Sequence, residues 1–256
     1  MSQDLLASVF VPFPSPLEEV VLLRRPNRFL ILARREGGEE VPLHLPNSGR
    51  MEELLLPGAR GLAFPTHHPK TKGTLLLVEH KGRWVSVDAR MPNRLLEEGL
   101  RRRAWPFAQD VTSWKREAAL SSARIDFRLD RAQGPLFVET KSCNRVEGSL
   151  ALFPDAPTQR GTRHLVLLRE LREKGIPTGV IWFVQRDDAR ALSPDHKADP
   201  SFARAFWEGV AAGMMALAYG CQVTPEGIRV LDSIPIVERK RGREGDAPRP
   251  PKPLRP

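Results

Sequence analysis

The sequence predicts an α/β (α+β) protein with two domains, a small closed β-barrel followed by a mixed domain of helices and strands. Short apolar runs recur at regular spacing over the first hundred residues, and the pattern changes to helical spacing near residue 95. Further on, an unbroken apolar run at residues 180–184 lies between two helical segments, as a buried central strand would. The chain of 256 residues is long enough for two ordinary domains.

Six short apolar or alternating runs predict the barrel. They are residues 20–23, 29–33, 41–45, 62–64, 74–79 and 84–87. Gly37, Gly38 and Gly82 lie between pairs of these runs and favour hairpin turns. Because closely spaced short strands with Pro and Gly between them are typical of small closed barrels, we expect residues 1–95 to form this domain.

The second domain is expected at residues 96–238, and a disordered, basic, proline-rich tail at 239–256. Leucine spacing predicts an amphipathic helix at 158–174. Asp199 and Pro200 supply a helix start, from which we expect a long helix reaching about Tyr219. A final strand is expected at 228–236.

Residues 124–142 predict a β-hairpin that brings two acids together. Alternation on both sides of the turn favours a register in which Leu129 faces Leu136. Asp126 then lies opposite Glu139 on one face. Like charges directly opposite each other on a sheet repel and destabilise it. The free energy of a cross-strand side-chain pair is roughly 0.2–1 kcal/mol. The arrangement therefore requires a cation.

Two sources of that cation remain open from the local pattern. The chain itself could supply one from Arg124 or Lys141, giving a solvated ion-pair network of small energetic value. Alternatively a hard divalent ion such as Mg²⁺ could be held by the carboxylates, with waters and a phosphate completing its shell. Lys141 would then orient or deprotonate a water beside the ion. Glu117, nine residues before Asp126, could complete such a site.

Charge and cysteine usage limit the partners and the compartment. The net charge is +9, of which residues 239–256 contribute +5, and such a tail either adds affinity for a polyanion or reflects composition alone. The two cysteines, Cys143 and Cys221, exclude a disulfide framework and fit a reducing cytoplasm. We expect neither a signal peptide nor a membrane span, because the N-terminus lacks a basic region and no long apolar stretch occurs.

Several stretches of the chain form a specific, ordered set. They are RRPNRFL, HLPNSGRM, WVSVDARMPNRLLEEGL, ARIDF, FVETKS, FPDAPTQRGTRHL and DPSF…AY. With these stretches the chain resembles the sugar fermentation stimulation protein A (SfsA) family over most of residues 24–235. The resemblance implies DNA binding, an OB-like N-terminal domain and a restriction-endonuclease-like domain of the PD-(D/E)-x-K kind.

The resemblance also implies site residues. Asp126, Glu139 and Lys141 fall on the active-site pattern, with the two acids as metal ligands, and Glu117 falls on its upstream acid. The chain departs from the family at Ala123, where serine is usual, and at position 140, which holds threonine where valine is common. The cofactor implied is Mg²⁺.

Basic groups near the hairpin are candidates for binding phosphate. The start of the helix at 158–174 carries Thr158 with three basic residues, Arg160, Arg163 and His164, where backbone N–H groups favour an anion. Arg50, in a tight turn, and Arg124 are further candidates. The alternatives are a surface helix capped by Thr158 and plain turn chemistry.

Two other motifs are weaker. His67 and His68 are expected to be a loop pair rather than metal ligands. Residues 101–103 with Trp105 combine charge and an aromatic ring, as a platform for single-stranded nucleic acid would, although a solvated connector is commoner.

Three functions follow from these patterns. The first is a DNA-binding protein without sequence preference, for which the family implies a role in regulating sugar metabolism genes. The second is a Mg²⁺-dependent nuclease that hydrolyses phosphodiester bonds. The third, a protein-interaction adaptor, depends only on the proline-rich tail. The acid–acid–lysine set favours the second over a pure binder, because carboxylates facing DNA phosphate repel it unless a cation joins them. The resemblance implies binding and does not decide cleavage, so we expect DNA binding, with the nuclease as the alternative.

Overall fold

A computed structural model of the protein describes residues 2–120 and 123–239. The predicted tail beyond Arg239 lies outside the described residues. Within the described part of the chain, no helix has both the length and the apolar character needed to span a membrane.

The N-terminal barrel is built from six strands in the described residues. They are β2 (Glu18–Asn27), β3 (Leu30–Arg35), β4 (Glu40–His44), β5 (Arg60–His68), β6 (Thr71–His80) and β7 (Arg83–Ser86). Their order is β4-β3-β2-β5-β6-β7, and an additional parallel pairing of β4 with β6 closes the sheet. Alternate residues of β3 and β4 point into a separate apolar core, which confirms the predicted small barrel.

The first residues of the chain do not belong to the barrel, contrary to the expectation for 1–95. Helix α1 (Ser2–Ala7) and strand β1 (Phe10–Pro12) precede it. Strand β1 pairs antiparallel with β16 (Gly227–Ser233), and Val11 and Phe13 pack in the core of the second domain. A pairing between residues more than 200 positions apart leaves no local pattern, so the sequence could not reveal it.

The second domain contains a seven-stranded sheet in the described residues. Its further strands are β8 (Val111–Leu120), β9 (Ala123–Arg131), β10 (Leu136–Cys143), β13 (Thr178–Val184) and β15 (Met215–Thr224). The order is β1-β16-β15-β13-β10-β9-β8. Strand β13 is buried at every residue and runs parallel to both β10 and β15, as its unbroken apolar run predicts.

Four α-helices of the described residues and a small second sheet cover this large sheet. Helices α1 and α2 (Met91–Arg101) pack on one face, and helices α3 (Gln159–Glu173) and α4 (Pro200–Ala211) pack on the other. The three-stranded sheet consists of β11 (Val146–Glu147), β12 (Leu150–Phe153) and β14 (Ala191–Pro194). It carries the loop at residues 154–158 that leads into α3.

The end of α4 corrects the expectation of a helix reaching about Tyr219. The helix stops at Ala211, Gly213 has a φ of +89°, and β15 begins at Met215. A glycine with left-handed backbone ends a helix, and an apolar run such as MMALAY cannot be assigned to helix or strand by periodicity alone. The final strand also ends earlier than predicted, at Ser233 instead of residue 236.

Candidate metal and nucleic-acid site

The predicted hairpin register is present, and it ends at the two acids. Leu136 pairs with Leu129, and the ladder continues to Val138 opposite Phe127. Beyond this pair, the backbone N–H groups of Asp126 and Thr140 bond to side-chain carboxylates of the opposite strand instead of to its backbone carbonyls. The N–H of Asp126 donates to Glu139 Oε2 at 3.4 Å, and the N–H of Thr140 donates to Asp126 Oδ2 at 2.8 Å. Both carboxylates therefore lie between the parted strands β9 and β10.

Glu139 is a buried carboxylate that carries its charge. Its Oε1 accepts a hydrogen bond from Lys141 Nζ at 2.5 Å and lies 2.7 Å from His164 Nδ1. Burial alone would raise the pKa of Glu139, but Lys141 and His164 outweigh it and lower that pKa to about 2. The chain thus compensates this carboxylate with its own cation.

Asp126 is not compensated in the same way. Burial and then the neighbouring Glu139 raise the pKa of Asp126, and Lys141 and the Thr140 N–H only partly oppose this. Its Oδ1 has no hydrogen-bond partner among the described residues. Arg124 is exposed and does not reach either acid. The solvated ion-pair network in which Arg124 would neutralise the two acids is therefore not formed.

Asn93 and the Thr140 side chain were not predicted as site residues. The Thr140 hydroxyl lies 3.0 Å from Asp126 Oδ2 and contacts Asn93 Oδ1, in the first turn of α2. The departure from valine at position 140 therefore adds a polar contact to Asp126. The only sequence signal for Asn93 is its place in the stretch WVSVDARMPNRLLEEGL.

A cleft of about 740 Å³ opens in front of the two acids. The barrel contributes Arg28 and Arg50, and the N-terminus of α3 contributes Arg160. All three are exposed. Arg28 and Arg160 have no ion-pair partner among the described residues, and Arg50 has only Glu52 at 3.9 Å. The rim thus offers guanidinium groups to an anion.

Two further residues fix the rim of the cleft. Arg25 donates to the carbonyls of Arg28 at 2.9 Å and Arg50 at 2.6 Å, so it ties two barrel loops together. Asp155, from the loop before α3, accepts a bond from the Met51 N–H at 2.9 Å and links the barrel to the second domain. Neither residue was predicted, since Arg25 reaches Arg50 from 25 positions away and Asp155 reaches Met51 from 104 positions away.

The predicted phosphate-binding residues separate into two groups. Arg50 and Arg160 line the cleft, whereas Arg124 and Arg163 are exposed outside it. His164 is only 5% exposed and contacts Glu139 from behind, so it supports an acid instead of facing phosphate. The predicted helix cap is present, because Thr158 accepts a bond from the Gly161 N–H at 3.1 Å.

Glu117 lies on the neighbouring strand. Arg116 pairs with Phe127 and Ala118 with Ile125, which places Glu117 at the level of Asp126. Its φ is +50°, its side chain is exposed, and it does not line the cleft. In residues 2–120 and 123–239, no three His, Cys, Asp or Glu side chains are grouped as metal ligands. An ion here would be held by two carboxylates with other oxygen donors.

Two weaker predictions are corrected by the structure. Trp105 is 1% exposed and donates from Nε1 to the Leu96 carbonyl at 2.8 Å, so it offers no ring to a base. His67 and His68 lie in strand β5 and not in a loop.

Comparisons with known proteins agree along most of the chain. Residues 23–87 match the SfsA N-terminal OB domain, and residues 90–227 match the sugar fermentation stimulation protein RE domain. The sugar fermentation stimulation protein homolog of Moorella thermoacetica is 36% identical over 88% of this chain and 99% of its own length. That of Chloroflexus aurantiacus is 38% identical over 89% of each chain.

A solved structure gives the same result for the fold. Pyrococcus furiosus SfsA in complex with Ca²⁺ superposes with a TM-score of 0.83 at 28% identity, covering 89% of this chain and 98% of the other. The predicted OB-like barrel followed by a restriction-endonuclease-like domain is therefore confirmed. The chain belongs to the sugar fermentation stimulation protein (SfsA) family.

Proposed function

We propose that the cleft binds the phosphate backbone of DNA, without sequence preference, through a divalent cation at Asp126 and Glu139. The observation that supports this best is the unequal pair of carboxylates. Glu139 is neutralised by Lys141, whereas Asp126 is left with a raised pKa and one oxygen without a partner among the described residues. Such a carboxylate facing a cleft rimmed by arginines favours a shared cation between acid and phosphate.

The donor set fits a hard divalent ion. Mg²⁺ is usually held by one or two carboxylates together with waters and phosphate oxygens, and Ca²⁺ also takes oxygen ligands. Asp126 Oδ1 is available, and Glu139 Oε2 accepts only one long bond, at 3.4 Å. The Ca²⁺ complex of the Pyrococcus furiosus relative supports an ion of this class.

The rim would hold the phosphate backbone. Arginine matches phosphate with paired donors, and Arg28, Arg50 and Arg160 are exposed at the cleft. Because contacts to phosphate carry no sequence information directly, binding through these residues would be insensitive to sequence and steeply dependent on salt.

A paired affinity measurement tests this function. Binding of a short fluorescent DNA duplex would be measured in EDTA and in Mg²⁺ for wild type, Asp126→Ala and the exposed control Asp232→Ala. We expect Mg²⁺ to increase the affinity of wild type and of the control, and to increase that of Asp126→Ala much less. In EDTA, Asp126→Ala should bind as well as wild type or more tightly, since a negative charge facing phosphate has gone. Equal responses to Mg²⁺ in all three proteins would refute the role of Asp126.

Phosphodiester hydrolysis is a second candidate, favoured by the position of Lys141. Its ammonium group lines the cleft and is held by Glu139. A divalent ion there would polarise the phosphate and lower the pKa of a water. Lys141, as a donor beside an ionised carboxylate, would orient that water or stabilise charge on the phosphate. The fixed position of Lys141 beside both acids is the feature that a pure binding protein does not need.

Cleavage would be tested directly with single- and double-stranded DNA and RNA in Mg²⁺, Mn²⁺ or EDTA. We expect metal-dependent products with wild type, and their loss in Lys141→Met and Asp126→Ala. Products that persist in either variant would come from another site or a contaminant. A wild type that binds DNA with Mg²⁺ dependence and yields no product on any of these substrates would leave binding as the function.

A further inference from the structure

One aromatic ring stands out on the surface of the described residues. Among their exposed large hydrophobic side chains, Phe29 is the only aromatic one, and it is 53% exposed. A single exposed apolar side chain is ordinary on a protein surface, so its meaning depends on its surroundings.

The backbone around Phe29 is held firmly. Phe29 lies in the turn between β2 and β3, and its N–H donates to Asn27 Oδ1 at 2.9 Å. Its carbonyl accepts a bond from the Leu45 N–H at 2.9 Å. The preceding carbonyl, of Arg28, accepts a bond from Arg25. The exposed ring is therefore carried by a fixed turn.

This turn is part of the cleft rim. Asn27 and Arg28, directly before Phe29, line the cleft. Arg25 connects the same turn to Arg50 through the Arg50 carbonyl. Phe29 does not itself line the cleft, but it directly follows Arg28, so a strand bound at Arg28 would pass the turn that carries this exposed ring.

We propose that Phe29 is a stacking platform for an unpaired base, so that the cleft prefers single-stranded nucleic acid, or a strand with an unpaired end, over an intact duplex. This inference rests on the proposed binding function. Every base has a flat π face, so stacking on an aromatic ring tolerates any sequence, and the paired bases of a duplex do not expose those faces. An aromatic beside a basic groove is the combination by which single strands are held. The sequence suggested Trp105 as such a platform, but Trp105 is buried, so Phe29 would stack on the base instead.

The chain offers a matched control. Leu56 is also 53% exposed and lies in the loop between β4 and β5, but unlike Phe29 it has no cleft-lining residue next to it in the chain. Affinities for a single-stranded oligonucleotide of mixed sequence and for its duplex would be measured at one salt concentration for wild type, Phe29→Ala, Phe29→Trp and Leu56→Ala. Thermal unfolding of each variant would verify that the exposed substitutions leave the fold intact.

We expect wild type to bind the single strand more tightly. Phe29→Ala should weaken single-strand binding about ten-fold, which is the order of one lost base stack, and duplex binding much less. Phe29→Trp and Leu56→Ala should bind as wild type does. The inference is overturned if Phe29→Ala and Leu56→Ala behave alike, or if Phe29→Ala weakens both probes equally. If either of those results is found while Mg²⁺ still increases the DNA affinity of wild type much more than that of Asp126→Ala, the proposed function survives. If wild type binds neither probe, both the inference and the proposed function fail.

Discussion

Two acids of the same hairpin, Asp126 and Glu139, have opposite electrostatic environments. Glu139 has its pKa lowered to about 2 by Lys141 and His164 despite burial. Asp126 has its pKa raised by burial and by Glu139. Perturbed carboxyl groups in a cleft are typical of functional sites, although structural ion-pair networks also produce them. The difference between the two acids leads to predictions that do not depend on any assay of function.

Asp126→Asn should stabilise the protein at neutral pH when no divalent ion is present. An acid whose folded pKa is raised binds its proton more tightly when folded, so its ionisation at neutral pH disfavours the fold. We expect Tm to rise by about 2–4 °C, the change that about 1 kcal/mol gives in a chain of this size. The exposed control Asp232→Asn should leave Tm unchanged. A lower Tm for Asp126→Asn would mean that the chain already compensates the carboxylate.

Lys141→Met should destabilise the protein strongly, and most at neutral pH. The Lys141 side chain is 13% exposed and its partner Glu139 4%, and removing one member of a buried pair costs about 3–5 kcal/mol. In wild type the folded pKa of Glu139 is lowered, so its stabilising contribution is present above the unfolded value of 4.5 and is lost as pH falls toward about 2. The difference between the variant and wild type in urea unfolding should therefore shrink over that range. If Lys141→Met were less stable than wild type by the same amount at pH 7 and at pH 3, the ion pair between Lys141 and Glu139 would not be the source of the lost stability.

At the residue scale, the sequence revealed those groups that lie close along the chain. Asp126, Glu139 and Lys141 share one hairpin, so period-2 alternation and one turn were enough to place them. His164 was recognised as a basic residue, but its burial behind Glu139 depends on how α3 packs on the sheet. Asn93 is 47 residues from its partner Thr140, and no local pattern links the two.

At the element scale, the strands were predictable where one face is polar and the other apolar. The barrel strands and the hairpin alternate, so their positions followed from the sequence. The buried strand β15 has no such alternation, and its start was therefore assigned to the preceding helix. The sequence predicted the loops of the cleft rim only as turns. Their positions beside the cleft depend on contacts between the barrel and the second domain, which no local pattern shows.

One of these contacts can be tested at Gly49. A Cβ at this position would lie 2.7 Å from Asp155 Oδ2, which also accepts the Met51 N–H, and 2.9 Å from Asp155 Oδ1. We expect Gly49→Ala to displace the loop that carries Arg50, to cost about 1–3 kcal/mol of stability and to weaken DNA binding. Gly220→Ala, where a Cβ would meet only ordinary contact at 4.0 Å, is the control and should change neither property. Unchanged affinity in Gly49→Ala would show that this loop does not contribute to binding.

At the scale of the whole molecule, the binding surface is expected to be the cleft and not the net positive charge as such. The sequence identified basic residues but could not tell which of them share one surface. The structure separates Arg50 and Arg160, which line the cleft, from Arg124 and Arg163, which do not.

The dependence of DNA affinity on salt distinguishes these two groups of arginines. Each phosphate contact contributes about −0.9 to the slope of log affinity against log salt for duplex DNA. We expect Arg160→Ala to reduce the steepness of that slope by about one such contact. Arg163→Ala, on the same helix and with the same change of charge, should leave the slope nearly unchanged. Equal reductions would indicate binding by overall charge.

If a divalent cation joins Asp126 to the phosphate backbone, the position of that ion can be measured in a crystal. Crystals grown with Mn²⁺ and a short oligonucleotide give an anomalous signal that locates the ion without reference to activity. We expect a peak in the cleft, in contact with the Asp126 carboxylate and adjacent to a phosphate, and no such peak in crystals of Asp126→Ala. A peak that remains in the variant, or an oligonucleotide bound in the cleft with no ion at Asp126, would contradict this expectation.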